Sequence, residues 1–175
     1  YCQPVVRSGL AALPVRPAQT QHLTVFHHKV LRGFLRLSSS SPVPVLYFLL
    51  GEMPIVAYIH LDILTLFHNI WSNPDTTVHE ITKYILKMSD NRSVTWAAHV
   101  RILCQLYDLP DPRYLLQHED AWTKSLWKDF CTTKVRAYHE KLWRGKTLTN
   151  SKMSNLNIQL AGLNGRHHPA LGGIE

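Results

Sequence analysis

The stretch "YFLLGEMPIVAYIHLDILTLFHNIW", Tyr47 to Trp71, is the most apolar part of the chain, and its reading decides the fold. Gly51 and Pro54 interrupt it and leave an unbroken part of roughly 18 residues, at the short end for crossing a bilayer. That part carries His60, Asp62, Thr65, His68 and Asn69, and a central Asp alone opposes membrane insertion. At 100° per residue, Asp62, Thr65, Asn69 and Ser72 fall on one narrow polar arc. This pattern predicts a nearly buried helix with one wet edge, not a membrane span. His60 stands alone on the apolar side, where a hydrogen-bonded core or interface histidine is expected and not a metal ligand.

The neighbouring segments have the same helical rhythm. From about residue 18 to 37, Phe26, Val30, Phe34 and Leu37 form one apolar side, with Lys29, Arg32 and Arg36 grouped on the other and His22 among them. "SSSSPVP" ends that helix, and Ser41, Pro42 and Pro44 open a short one closing at Gly51. Pro54 suits the first turn of the longer helix that follows and runs to about Ser72. Beyond the turn "SNPDTT", Val78, Ile81, Ile85 and Met88 recur at helical intervals. Trp96, Val100, Leu103 and Tyr107 do so after "SDNRS", and "DLPDPR" starts a further short helix. A last long segment, about 121–145, places Trp127, Cys131, Val135, Tyr138 and Leu142 on one stripe. No stretch alternates with period two. The expected fold is all-α, an irregular bundle of five or more helices.

At 175 residues and 45% hydrophobic content the chain can bury a core. Three cysteines, Cys2, Cys104 and Cys131, follow no CxxC spacing, which suggests reduced thiols and a cytoplasmic or nuclear setting. In that setting the sequon Asn91-Arg92-Ser93 is read as chance. The opening "YCQPVVRSGL" lacks an initiator Met and is expected of a piece of something longer.

The net charge of +7 is unevenly spread. Residues 1–36 carry five basic side chains and no acid, residues 37–120 are mildly acidic, and residues 121–175 are again basic. Two basic ends suggest a polyanionic partner. The candidate contacts are Lys29, Arg32 and Arg36 on the first helix, with Lys124, Lys128, Arg136, Arg144 and Lys146 on the last. Lys134 and Lys141 lie toward that helix's apolar flank, where they can snorkel out of a packed surface.

No self-contained catalytic centre is visible, so no residue is assigned a catalytic or metal role. His79-Glu80 and His139-Glu140 begin like HExxH, but Lys83 and Trp143 occupy the fourth position beyond each histidine, so the paired ligands of a zincin are missing. His27-His28 and His167-His168 have no cysteines at zinc-finger spacing. Glu119-Asp120 reads as a capping and solvent feature, and no phosphate-binding or nucleophile-elbow motif occurs.

Several stretches together resemble a known family: "GLAALPVRP" (9–17), "HHKVLRGFLRL" (27–37), "YFLLGEMPIVAYIHLDILTLF" (47–67), "TWAAHVRILCQLYDLPDP" (95–112) and "LNIQLAGLNGRHHPAL" (156–171). In this order they look like the region just after the polymerase domain in non-LTR (LINE-type) retrotransposon proteins. Leu109-Pro110, Trp127-Lys128, "NSKMSNLN" and "GRHHP" match that family's later segments. The resemblance implies a lead-in from a polymerase palm over 1–17, a helical thumb and post-polymerase domain over 18–147, and a polar tail over 148–175. It implies binding of template RNA or an RNA–DNA hybrid and packing against a polymerase domain of the same polypeptide. The family's aromatic-x-Asp-Asp turn, which holds the divalent metal (expected to be magnesium) of the parent polymerase, does not occur here. No catalytic or metal residue is carried over, and no cofactor is assigned to this chain. The competing expectation is a helical interaction or scaffold module, a retroelement remnant with no nucleic-acid activity.

Overall fold

The computed structural model describes residues 9–13, 17–89, 95–117 and 122–148. Cys2, the sequon at 91–93, Glu119-Asp120, His167-His168, most of the lead-in and the tail beyond Leu148 lie outside the described residues. Among the described residues there are seven helices and no strand, so the fold is all-α as the periodicity predicts. In chain order they are α1 (Pro17–Phe34), α2 (Val43–Leu50), α3 (Ile55–Trp71), α4 (Thr77–Met88), α5 (Trp96–Leu106), α6 (Pro112–Leu115) and α7 (Lys124–Leu148).

Helix starts are written in short polar residues. Thr76, Thr95 and Asp111 each accept a backbone N–H of the first turn, from His79, Ala98 and Arg113 respectively. Such caps satisfy donors that the helix cannot. Three helix ends share one device. Leu37 N–H donates to Arg32 C=O (2.9 Å), Glu52 to Tyr47 (3.2 Å) and Leu109 to Cys104 (2.8 Å). In each, the residue before the donor is left-handed: Arg36 (φ 53°), Gly51 (φ 65°) and Asp108 (φ 54°). This is the six-to-one closure that favours glycine, yet only Gly51 supplies one.

The opening stretch folds as two helices broken at Gly51–Pro54. Leu46, Tyr47, Phe48, Leu50, Ile59, Ile63, Leu64, Phe67 and Trp71 are buried. Asn69 and Ser72 are exposed, and Asp62 and Thr65 are half-buried, so the wet edge lies where the wheel puts it. No single helix among the described residues is long and apolar enough to cross a membrane.

The chain divides into two compact units, Tyr1–Arg16 with Tyr58–Val135, and Pro17–Ala57 with Arg136–Glu175, the boundaries falling inside α3 and α7. In the first unit, α4 packs on α5 and α6, and α5 on α6. Trp127 stands edge-on to Trp71 at 5.6 Å and to Trp122 at 5.9 Å, and its Nε1–H donates to Leu64 C=O at 2.9 Å. Half-buried His60 meets the Tyr107 hydroxyl with its Nδ1 at 2.6 Å, so it is hydrogen-bonded as expected. Trp96 Nε1–H donates to Ala11 C=O (2.7 Å), and the buried Arg101 guanidinium to Ser89 C=O (2.8 Å). Cys104 and Cys131 are buried free thiols. Burial raises both their pKa values, Cys131 to about 12. In the second unit α1 packs on α2.

Three apolar stripes sit differently from their sequence reading. On α1, Phe26, Val30 and Phe34 point outward, while His27 and Leu31 are buried. On α4, His79, Thr82 and Leu86 are buried and Val78, Ile81 and Met88 are exposed. On α7 the buried line runs Trp127, Cys131, Val135, His139 and Trp143, leaving Leu142 exposed and Tyr138 half-buried. Periodicity reports that a face is apolar; the neighbouring helix decides which face is covered. On α1 and α4 that choice admits a histidine and leaves larger hydrophobes outside.

Candidate nucleic-acid interface

The described basic residues divide unequally between the units. The second unit has seven lysines and arginines against Glu52 and Glu140, whereas the first has seven against six carboxylates. In the first unit the carboxylates meet nearby cations: Asp108 binds Lys134 (2.7 Å), Asp111 binds Arg113 (3.3 Å), and Glu80 approaches Lys83 (3.9 Å). Lys134 also lies 5.7 Å from the Phe130 ring. Its Asp108 pairing gives it a structural role beside the snorkelling geometry expected for it.

In the second unit α1 supplies Lys29, Arg32 and Arg36. Lys29 and Arg36 are exposed. Arg32 is half-buried and committed to the fold: its Nη2 and Nε donate to Ser41 C=O at 2.9 and 3.3 Å. The guanidinium thereby ties the "SSSS" loop back onto α1, leaving its remaining N–H groups for any anion. The same helix exposes Phe26 and Phe34, 66% and 75% accessible, with Phe26 three residues before Lys29 and Phe34 toward the opposite side of the helix. Exposed aromatics on a helix that also carries cations are the composition of a surface that stacks bases and grips phosphates.

The second half of α7 contributes Arg136, Arg144 and Lys146. Trp143 stacks on Tyr47 at 5.4 Å and 27°, and Lys146 Nζ sits 4.6 Å from the Trp143 ring centroid. Arg144 lies 5.6 Å from the Phe48 ring. Tyr47 in turn contacts His28 edge-on at 5.6 Å and His27 at 5.9 Å, with its hydroxyl 3.4 Å from His27 Nδ1. Burial pulls the His28 pKa down to about 4, and the nearby charges of Arg32, His27 and Lys146 push it the same way. Arg32 of α1 and Lys146 of α7 therefore converge on one neutral imidazole. Arg136 is half-buried with its Nε unpartnered, and nothing draws it into that convergence.

A surface groove of about 510 Å³ runs along α7, lined by Tyr138, Lys141, Leu142, Gly145 and Lys146. These residues all come from one side of one helix, so they form a trough with ammonium groups along it. Lys124 and Lys128 are exposed in the first unit, where Asp129 offsets them. The structure thus brings Arg32 and Lys146 toward His28 beside Tyr47, sets Arg144 against Phe48, places Lys29 and Arg36 on the same unit, and keeps Lys124 and Lys128 in the other. Sequence reasoning missed the Tyr47–Trp143 stack that positions Lys146, because Tyr47 lies in the most apolar segment and carries no local signal of a site. The outward Phe26 and Phe34 were legible as an apolar face but not as an exposed one.

Among the described residues no group of three or more His, Cys, Asp or Glu side chains is placed to hold a metal ion. No family model, no curated protein and no solved structure matches the chain.

Proposed function

We propose that this chain is a non-catalytic helical segment that binds RNA or an RNA–DNA hybrid through phosphate contacts of the second unit. The observation that carries the reading is the presence there of seven cations against two carboxylates, in a unit that also exposes the rings of Phe26 and Phe34. A surplus of cations over carboxylates attracts a polyanion, and the gain comes mainly from releasing its condensed counterions. Exposed aromatics add sequence-tolerant stacking on unpaired bases. The resemblance to the post-polymerase region of LINE-type retroelement proteins supports the same ligand class, with the polymerase domain as the covalent partner.

The test is fluorescence anisotropy with a single-stranded RNA and an RNA–DNA hybrid over a salt series. Log affinity is expected to fall linearly with log salt, and each phosphate-contacting cation removed is expected to reduce the slope by about 1. Lys29→Gln and Lys146→Gln are the informative variants, because Arg32 also anchors Ser41. Lys124→Gln with Lys128→Gln is expected to change the slope less. No binding at low salt, or Lys29 and Lys146 variants that match the parent, would overturn the proposal.

A further inference from the structure

The outward stripe of α4 has no role in the basic surface. Val78, Ile81, Tyr84 and Met88 are between 52% and 66% exposed, with Ile85 half-buried among them. Val78, Ile81, Ile85 and Met88 are spaced three, four and three apart, the seam of a helix that packs lengthwise on another helix. The face bound to the unit's own core is a different one, built from His79, Thr82 and Leu86. A third face carries Glu80, Lys83 and Lys87, with Glu80 in the first turn and Lys87 in the last. The helix therefore has one more apolar face than its own unit uses.

We propose that this stripe is a self-association surface on which α4 pairs, antiparallel, with α4 of a second copy of this chain. The pattern is self-complementary in that direction. Running the helix against itself about a two-fold axis near Lys83 sets Val78 opposite the partner copy's Met88, and Ile81 opposite its Ile85. Tyr84 falls beside the axis. On the flank next to Tyr84 the same register sets Glu80 of each copy toward Lys87 of the other. A parallel two-fold pair would put this charged flank of one copy on the opposite side from that of the other and forfeit both Glu80–Lys87 approaches, so the charges favour the antiparallel arrangement. Two copies would together cover on the order of 1,000 Å², the low end for a specific interface. The expected complex is a weak, closed two-fold dimer, not an open polymer.

Sedimentation equilibrium on the 175-residue chain tests this, with circular dichroism to confirm that each variant keeps its helix content. The parent is expected to show a concentration-dependent monomer–dimer equilibrium, and Ile81→Glu to remain monomeric throughout that range. Glu80→Lys and Lys87→Glu are each expected to raise the dimer dissociation constant about tenfold, since each places like charges at both of the symmetry-related contacts on that flank. An equimolar mixture of those two variants restores opposite charge at both contacts, so it is expected to recover parental affinity as a heterodimer. A folding defect in either variant could not produce that recovery. A parent that stays monomeric, an Ile81→Glu chain that associates as the parent does, or a mixture no tighter than its components would overturn the proposal. Association that grows without stopping at two copies would overturn it as well.

Discussion

Arg36 sits at φ 53° as the left-handed residue closing α1, with the flanking Leu37-to-Arg32 bond of 2.9 Å intact. The left-handed well costs a non-glycine residue about 1 kcal/mol or more, while glycine enters it freely. Arg36→Gly is therefore expected to raise the urea-unfolding free energy by about 0.5–1 kcal/mol, the gain being trimmed by glycine's larger unfolded-state entropy. The same change removes an exposed cation of the proposed RNA surface, so binding should weaken while the fold tightens. A variant that lost both together would show Arg36 holding α1 by a contact of its side chain. The sequence revealed a cation on a basic face but not this conformation. The reason is physical: the closing residue is set by where α1 must stop before the loop tied down by Arg32 and Ser41.

At the scale of the element, α4 inverts the usual rule. Leu86 is only 1% exposed, whereas Ile81 faces solvent. At concentrations below any self-association, Leu86→Ala is expected to cost about 2–4 kcal/mol from lost burial and the cavity left behind. Ile81→Ser is expected to stay within about 0.5 kcal/mol of the parent, as surface changes do. Urea denaturation of the two variants separates the structural face from the stripe, and equal losses would contradict the placement. Helix existence was legible here: the turn "SNPDTT" and the period from Val78 to Met88 define the element in sequence. Which face is buried was not legible, because His79 and Thr82 are acceptable to the α5–α6 surface and Ile81 and Met88 are left over. The opening stretch was read more completely. Gly51, Pro54 and the arc of Asp62, Thr65 and Asn69 leave only one arrangement that hides the apolar faces and keeps the polar edge wet.

For the molecule as a whole, the uneven charge and the buried imidazoles make one connected prediction about acid. His27, His28 and His139 of the second unit and His99 of the first all have pKa values lowered by burial, His28 and His139 to about 4. Protonation adds charge to groups that the fold keeps neutral, and beside Arg32 and Lys146 it adds charge of the sign already in excess. The unfolded chain, whose histidines titrate near 6.5, binds these protons first. Stability is therefore complete above about pH 6.5 and is lost as pH falls from there toward 4. His139 alone accounts for an effect on the order of 3 kcal/mol across that window. Asp108 and Asp111, held below the usual carboxylate range by hydrogen bonds from Lys134 and Arg113, hold their contributions until lower pH. Because three of the four histidines belong to the second unit, that unit should open first on acidification. Hydrogen exchange at pH 7 and pH 5 is expected to show loss of protection in α1, α2 and the second half of α7 before α5. His139→Gln should flatten the midpoint of urea unfolding between those pH values. A parent whose stability is level from pH 7 to pH 5 would mean that water or a conformational adjustment already accommodates the imidazolium ions.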